Sequence, residues 1–137
     1  MTVVSFSGMT CRLELTGEET DGRVTVIEMT IEPGAGAPLH VSPGEDKYFR
    51  VLRGTFDFQA GDERRLAREG DTIRVARGAV HGFTSRGERP GALLLVSTPA
   101  GHDAFFRDMA ALPVPHTQSD VEEVCRRHGQ AITGDRL

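Results

Sequence analysis

Apolar residues in this chain come in short bursts, and their spacing changes once. From Arg23 to Ile31, Val24 and Val26 fall on one face and Ile27, Met29 and Ile31 on the other. This alternation is that of a β-strand. Tyr48 to Leu52 and Thr55 to Phe58 flank Arg53-Gly54 and are expected to form a hairpin. Thr72 to Val75 alternates, and the unbroken apolar run Ala92 to Val96 predicts a strand buried on both faces. Glycines and prolines punctuate the first hundred residues every eight to twelve positions, which indicates an all-β sandwich or barrel over about residues 1–98. After Pro99 the spacing becomes helical. Phe105, Met109 and Leu112 predict a helix over about 101–111, stopped by Pro113-Val114-Pro115. Ser119 and Glu122 fit a capping box for a second helix over about 119–128, whose face is Val121, Val124, Cys125 and His128 and whose end is Gly129. No linker, repeat or low-complexity tract interrupts the 137 residues, so one domain is expected.

Charge and cysteine content narrow the classes of function. A net charge of −4 and a pI near 5.7 leave no concentrated positive field, so neither nucleic acid nor an anionic membrane is an expected partner. The longest apolar stretch, Ala92 to Val96, is far too short to cross a bilayer, and the first residues lack a basic start followed by a long apolar run. Cys11 and Cys125 form no CxxC pair and are read as structural thiols. These features fit a cytoplasmic protein. Of the 16 lysines and arginines only one, Lys47, is a lysine.

The chemistry concentrates in two stretches, PGAGAPLHVSPGEDKYFRVLRGTFDF (33–58) and GDTIRVARGAVHGF (70–83). They resemble the two conserved motifs of the cupin superfamily, G-x5-H-x-H-x(3–4)-E-x6-G and G-x5-P-x-G-x2-H-x3-N. Gly34, His40 and Gly54 fall on the first, and Gly70, Gly78 and His81 on the second. The C-terminal run AGHDAFFRDMAALP is also similar to small quercetin-dioxygenase-like cupins. The resemblance implies a double-stranded β-helix (jelly-roll) barrel with two short C-terminal helices, a homodimer, and a pocket in which three histidines and a glutamate hold a transition metal. This chain departs from that ligand set. Ser42 stands at the second histidine, Lys47 at the glutamate, and Ala76 and Ser85 at the second motif's proline and asparagine. A protonated lysine repels a divalent ion, and a neutral one is not a usual ligand for these metals. No cofactor is therefore expected. A divalent transition metal remains open only through His40, His81 and Glu45, or Asp46, which points away from Lys47 if the strand has begun.

Lys47, unlike an arginine, can lose its proton near neutral pH when buried. With His40 and His81 it forms the candidate acid–base set, with Ser42, Phe49 and Phe83 as pocket residues. Phe49 shares a strand face with Lys47, which suits an apolar or aromatic small molecule. His102, His116 and His128 are expected in solvent, as is the polar tip Asp62 to Arg65. Three functions stay open. One is a small-molecule enzyme using metal-independent acid–base chemistry (isomerase, cyclase or lyase). Another is a non-catalytic cupin that binds or senses a small molecule. The third is a metal-dependent dioxygenase with an altered ligand set.

Overall fold

The computed structural model describes residues 2–137 and is built of two antiparallel sheets and two helices. One sheet contains six strands: β1 (Thr2–Phe6), β2 (Met9–Leu15), β3 (Thr25–Ile31), β5 (Asp46–Arg53), β8 (Thr72–Val75) and β10 (Gly91–Thr98). Their order is β1-β2-β3-β10-β5-β8. The other contains β4 (Gly36–Val41), β6 (Thr55–Ala60), β7 (Glu63–Arg68), β9 (His81–Arg86) and β11 (Ala131–Ile132), in the order β11-β4-β9-β6-β7. Helices α1 (His102–Ala110) and α2 (Gln118–Arg127) lie between β10 and β11 in the chain.

The core lies between the sheets, and strand alternation fills it. Thr25, Ile27, Met29 and Ile31 of β3 point inward, as do Lys47, Phe49 and Val51 of β5 and Phe56 and Phe58 of β6. Phe49, Phe58 and Phe83 meet with ring centroids 5.0–5.7 Å apart, joining the two sheets. Gly36 lets β4 approach β9 closely, because a Cβ there would lie 2.0 Å from the Phe83 carbonyl oxygen.

Three expectations change. The segments on either side of Arg53-Gly54 are strands, but they do not form a hairpin. β5 pairs with β10 and β8 while β6 pairs with β7 and β9, so Gly54 carries the chain from one sheet to the other. A tight glycine turn between two strands does not specify whether they pair. In β10 only one face is fully buried; Leu94 and Val96 on the other are half-buried. The capping box of α2 forms two residues earlier than expected. The Thr117 hydroxyl accepts from the Asp120 backbone N–H at 3.1 Å, and Asp120 Oδ2 accepts from the Thr117 N–H at 2.9 Å. Thr117-x-x-Asp120 offers the same side-chain logic as Ser119-x-x-Glu122, and the chain uses the first opportunity.

The end of the chain helps shape the space between the sheets. Gly129 ends α2 with φ +70°, and β11 then pairs with Val41 and His40 of β4. The Leu39 carbonyl accepts from the Thr133 N–H at 2.8 Å, and the Thr84 hydroxyl donates to the Leu137 carbonyl at 3.0 Å.

Candidate functional site

A cavity of about 620 Å³ opens between the sheets, and its lining is largely apolar. Met29, Phe49, Phe83 and Leu95 come from the strands, and Phe105, Phe106 and Met109 from α1. Titratable side chains also line it, among them His40, Lys47, His81 and His102, and His116, expected in solvent, is half-buried at its edge. Strand geometry explains how the first three meet. His40 on β4 and His81 on β9 are cross-strand partners, aligned by a bulge between Ala37 and His40 that puts one extra residue into β4. Their ring centroids are 4.1 Å apart. Lys47 on β5 comes from the opposite sheet and points inward like Phe49, two residues on.

Backbone carbonyls fix both imidazoles. His40 Nδ1–H donates to the Pro38 carbonyl at 2.8 Å, and His81 Nδ1–H donates to the Ala79 carbonyl at 3.0 Å. Each Nε2 is then a proton acceptor. Lys47 Nζ donates to His81 Nε2 at 3.1 Å and to Ser42 Oγ at 2.9 Å. Lys47 is 1% exposed, and its only carboxylate neighbour among the described residues is Glu45, with Oε1 4.0 Å away.

The residues singled out in the sequence lie close together here. His40, Ser42, Lys47, Phe49, His81 and Phe83 all face this region, with all but Ser42 lining the cavity and Ser42 reaching it through the Lys47 ammonium. Glu45 does turn inward, and Asp46 does point away, held by Arg77 through its backbone N–H at 2.9 Å and its guanidinium at 3.1 Å. The expectation of a solvated His102 is wrong. His102 is buried at the start of α1, with Nδ1 3.2 Å from Glu45 Oε1 but off the line of a hydrogen bond. The helix start is pinned to β3: the Thr25 hydroxyl donates to Asp103 Oδ1 and accepts from the Gly101 N–H, each at 3.3 Å. The signal was present, because 102, 105, 106 and 109 share one helical face with three apolar residues. His128 is also partly covered, with Nε2 2.7 Å from Asp108 Oδ2. Burial there follows from α1 packing on α2.

Burial sets the charge states. It pushes the Lys47 amine down from 10.5 to about 8, against a smaller upward pull from Glu45. Burial first, and then the Lys47 charge, lower His40 to about 3, His81 to about 2 and His102 to about 4. Burial alone would raise Glu45, but His102, Lys47 and His40 outweigh it and hold the carboxyl below its usual range. At neutral pH the site is one ammonium, one carboxylate and three neutral imidazoles.

This set does not fit the metal that the fold suggests. His81 Nε2, a ligating atom in a metal site, is taken by the lysine ammonium, and Ser42 by its second hydrogen bond. Glu45, the one carboxylate at hand, faces that ammonium and His102. Among the described residues, no group of three or more His, Cys, Asp or Glu could hold a metal ion.

The buried charge makes stability depend on pH in a definite direction. Between pH 8 and 10.5 the unfolded chain holds a lysine proton that the native chain has released, so stability rises with pH in that window. Below pH 8 the cost is fully present, on the order of 3 kcal/mol at about 1.4 kcal/mol per unit. The histidines act in the same direction at lower pH: stability falls as pH drops below 6.5, where the unfolded chain takes up protons first. Lys47→Met should therefore be as stable as the parent or up to ~3 kcal/mol more stable at pH 7. Urea unfolding should show that difference shrinking by pH 10 as the parent gains stability. A parent that gains nothing relative to Lys47→Met between pH 8 and 10 would contradict the buried charge.

Comparison with known proteins agrees with this architecture. The model of the cupin domain matches residues 27–97. No curated protein sequence matches the chain. Among solved structures, KdgF from Halomonas sp. is similar at TM-score 0.67 and 16% identity, covering 76% of this chain and 93% of its own. An RmlC-like cupin from Shewanella frigidimarina is similar at TM-score 0.65 and 16% identity, covering 75% and 87%. A cupin-superfamily sugar phosphate isomerase from Silicibacter pomeroyi reaches TM-score 0.58 at 23% identity, covering 66% and 59%. With more than half of its length matched by the domain model and two facing antiparallel sheets around one cavity, the chain belongs to the cupin family.

Proposed function

We propose that this cupin performs metal-independent acid–base chemistry on a small apolar or aromatic molecule, in the manner of an isomerase, cyclase or lyase. The observation that carries the reading is the Lys47 ammonium, held between Ser42 Oγ and His81 Nε2 beside an apolar cavity. In this reading Lys47 is the acid, its amine brought close to working pH by burial. His81 Nε2 takes or returns the lysine proton. His40, whose Nε2 is free to accept because Nδ1–H is held by Pro38, is the base toward substrate. Glu45 balances the ammonium without binding its proton, at 4.0 Å.

The name of the isomerase among the structural relatives fits the reaction class, but the lining argues for a different substrate. A phosphosugar needs several cations or backbone donors around its phosphate. Here the lining residues offer only Lys47 and the exposed Arg136. The dioxygenase reading lacks a donor set. A non-catalytic binder would keep the same cavity and is separated from the enzyme by the second measurement below.

Metal independence is checked by putting the ligand set back. Purified parent protein should hold well under one equivalent of iron, nickel, manganese, copper or zinc by elemental analysis. The double variant Ser42→His, Lys47→Glu should take up about one metal per chain, and each single variant much less. Stoichiometric metal in the parent that disappears in His40→Ala would overturn the reading. So would a folded double variant that binds no more metal than the parent.

Catalysis is checked by proton exchange. NMR in D2O on a panel of aromatic ketones and β-dicarbonyl compounds should show deuterium entering next to the carbonyl. The exchange should persist with chelator, and Lys47→Met and His40→Gln should each slow it ~100-fold or more. If panel members raise the melting temperature but none exchanges faster with parent than with Lys47→Met, the pocket is a binder and the enzyme reading fails.

A further inference from the structure

We propose that Lys47 is also a nucleophile, and that the cavity captures aldehydes or ketones of apolar body as an imine on its Nζ. This rests on the reading that a small molecule enters the cavity, and it extends that reading from proton transfer to a covalent bond.

An amine nucleophile needs a lone pair, a nearby proton acceptor, room for the electrophile, and surroundings that do not lock its proton in place. The sequence offers one side-chain primary amine, and the fold puts it against the cavity. His81 Nε2 lies 3.1 Å from it and carries no proton, because the Ala79 carbonyl holds the ring's hydrogen on Nδ1. Glu45 is 4.0 Å away, so the ammonium lacks the short carboxylate contact that would make its proton hard to remove. Ser42 Oγ, at 2.9 Å, steadies the amine through a neutral bond. Met29, Phe49, Phe83 and Leu95 line the space beside it and favour a carbonyl compound with an apolar or aromatic body.

The steps balance without any added oxidant or reductant. His81 Nε2 takes a proton from the ammonium, the freed lone pair forms the N–C bond, and a second amine proton passes to the carbonyl oxygen to give a carbinolamine. His81 returns its proton to that hydroxyl, the C–O bond breaks and water leaves, so an iminium with one N–H remains on Lys47. The iminium draws electrons from the neighbouring carbon, so His40 Nε2 can remove a proton there and leave an enamine. A retained amine N–H can still donate to Ser42 or His81.

The single lysine makes the test clean, since the chain contains only two primary amines, Lys47 and the α-amine. The folded protein is incubated with 2-naphthaldehyde and sodium cyanoborohydride, and adducts are located by intact mass and peptide mapping. In parallel, 2-naphthalenemethanol, which has the same body without the carbonyl, is tested for a rise in melting temperature. The expected result is one reduced adduct on Lys47, formed faster than on the α-amine. It should be absent in Lys47→Arg and slowed ~10-fold or more in His81→Gln of unchanged melting temperature. Labelling of the α-amine alone, while the alcohol raises the melting temperature, would show that ligand enters but Lys47 does not attack. That overturns this inference and leaves the pocket reading standing. Labelling of the α-amine alone with no thermal effect of the alcohol would overturn both.

Discussion

A positive charge buried between two uncharged acceptors governs this site. Lys47 is on β5, in the interior of a sheet, with β10 on one side and β8 on the other. Lys47 is 1% exposed, and Ser42 Oγ and His81 Nε2 accept from its ammonium, with Glu45 at the edge of ion-pair range. Removing such a charge from water costs several kcal/mol, and two neutral hydrogen bonds and one longer ion pair recover part of it. The remainder appears as the lowered amine pKa. The histidines stay neutral for the same two reasons, burial and the charge beside them.

This constraint links the fold to the chemistry. The bulge in β4 brings His40 opposite His81. The Pro38 and Ala79 carbonyls hold each Nδ1 hydrogen, so both Nε2 atoms are acceptors. In a cupin with the full ligand set, the same arrangement would offer two imidazoles to a metal. Here a lysine ammonium donates to one of them, and in the proposed reading the two imidazoles serve as bases beside an acid. Glu45, the neighbouring carboxylate that could have stood in for the lost ligand, instead balances the ammonium and meets His102.

Much of this could be read from the residues, and the failures have physical causes. The two-residue period of a strand placed Lys47 and Phe49 on one face, and the motif spacing brought His40 and His81 to one cavity. Gly54 misled because a turn's backbone signature is the same whether its strands pair or part. Ser119 misled because Thr117 offered an equivalent cap two residues earlier. His102 was missed because a histidine adds little to a hydrophobic stripe, although it continues the one formed by Phe105, Phe106 and Met109. The Glu45–His102 contact depends on how α1 docks on β3 through Thr25 and Asp103, a long-range fact with no local trace.

The charge state of Lys47 can be observed directly. Because the chain has one lysine, growth on 13C,15N-lysine gives a protein with a single labelled ε-amine. Following its ε-carbon and ζ-nitrogen shifts through a pH titration reads the amine's proton affinity in the folded state. A midpoint near pH 8 is the result this account predicts. A midpoint at or above 10.5, the ordinary value for a solvated lysine, would contradict it.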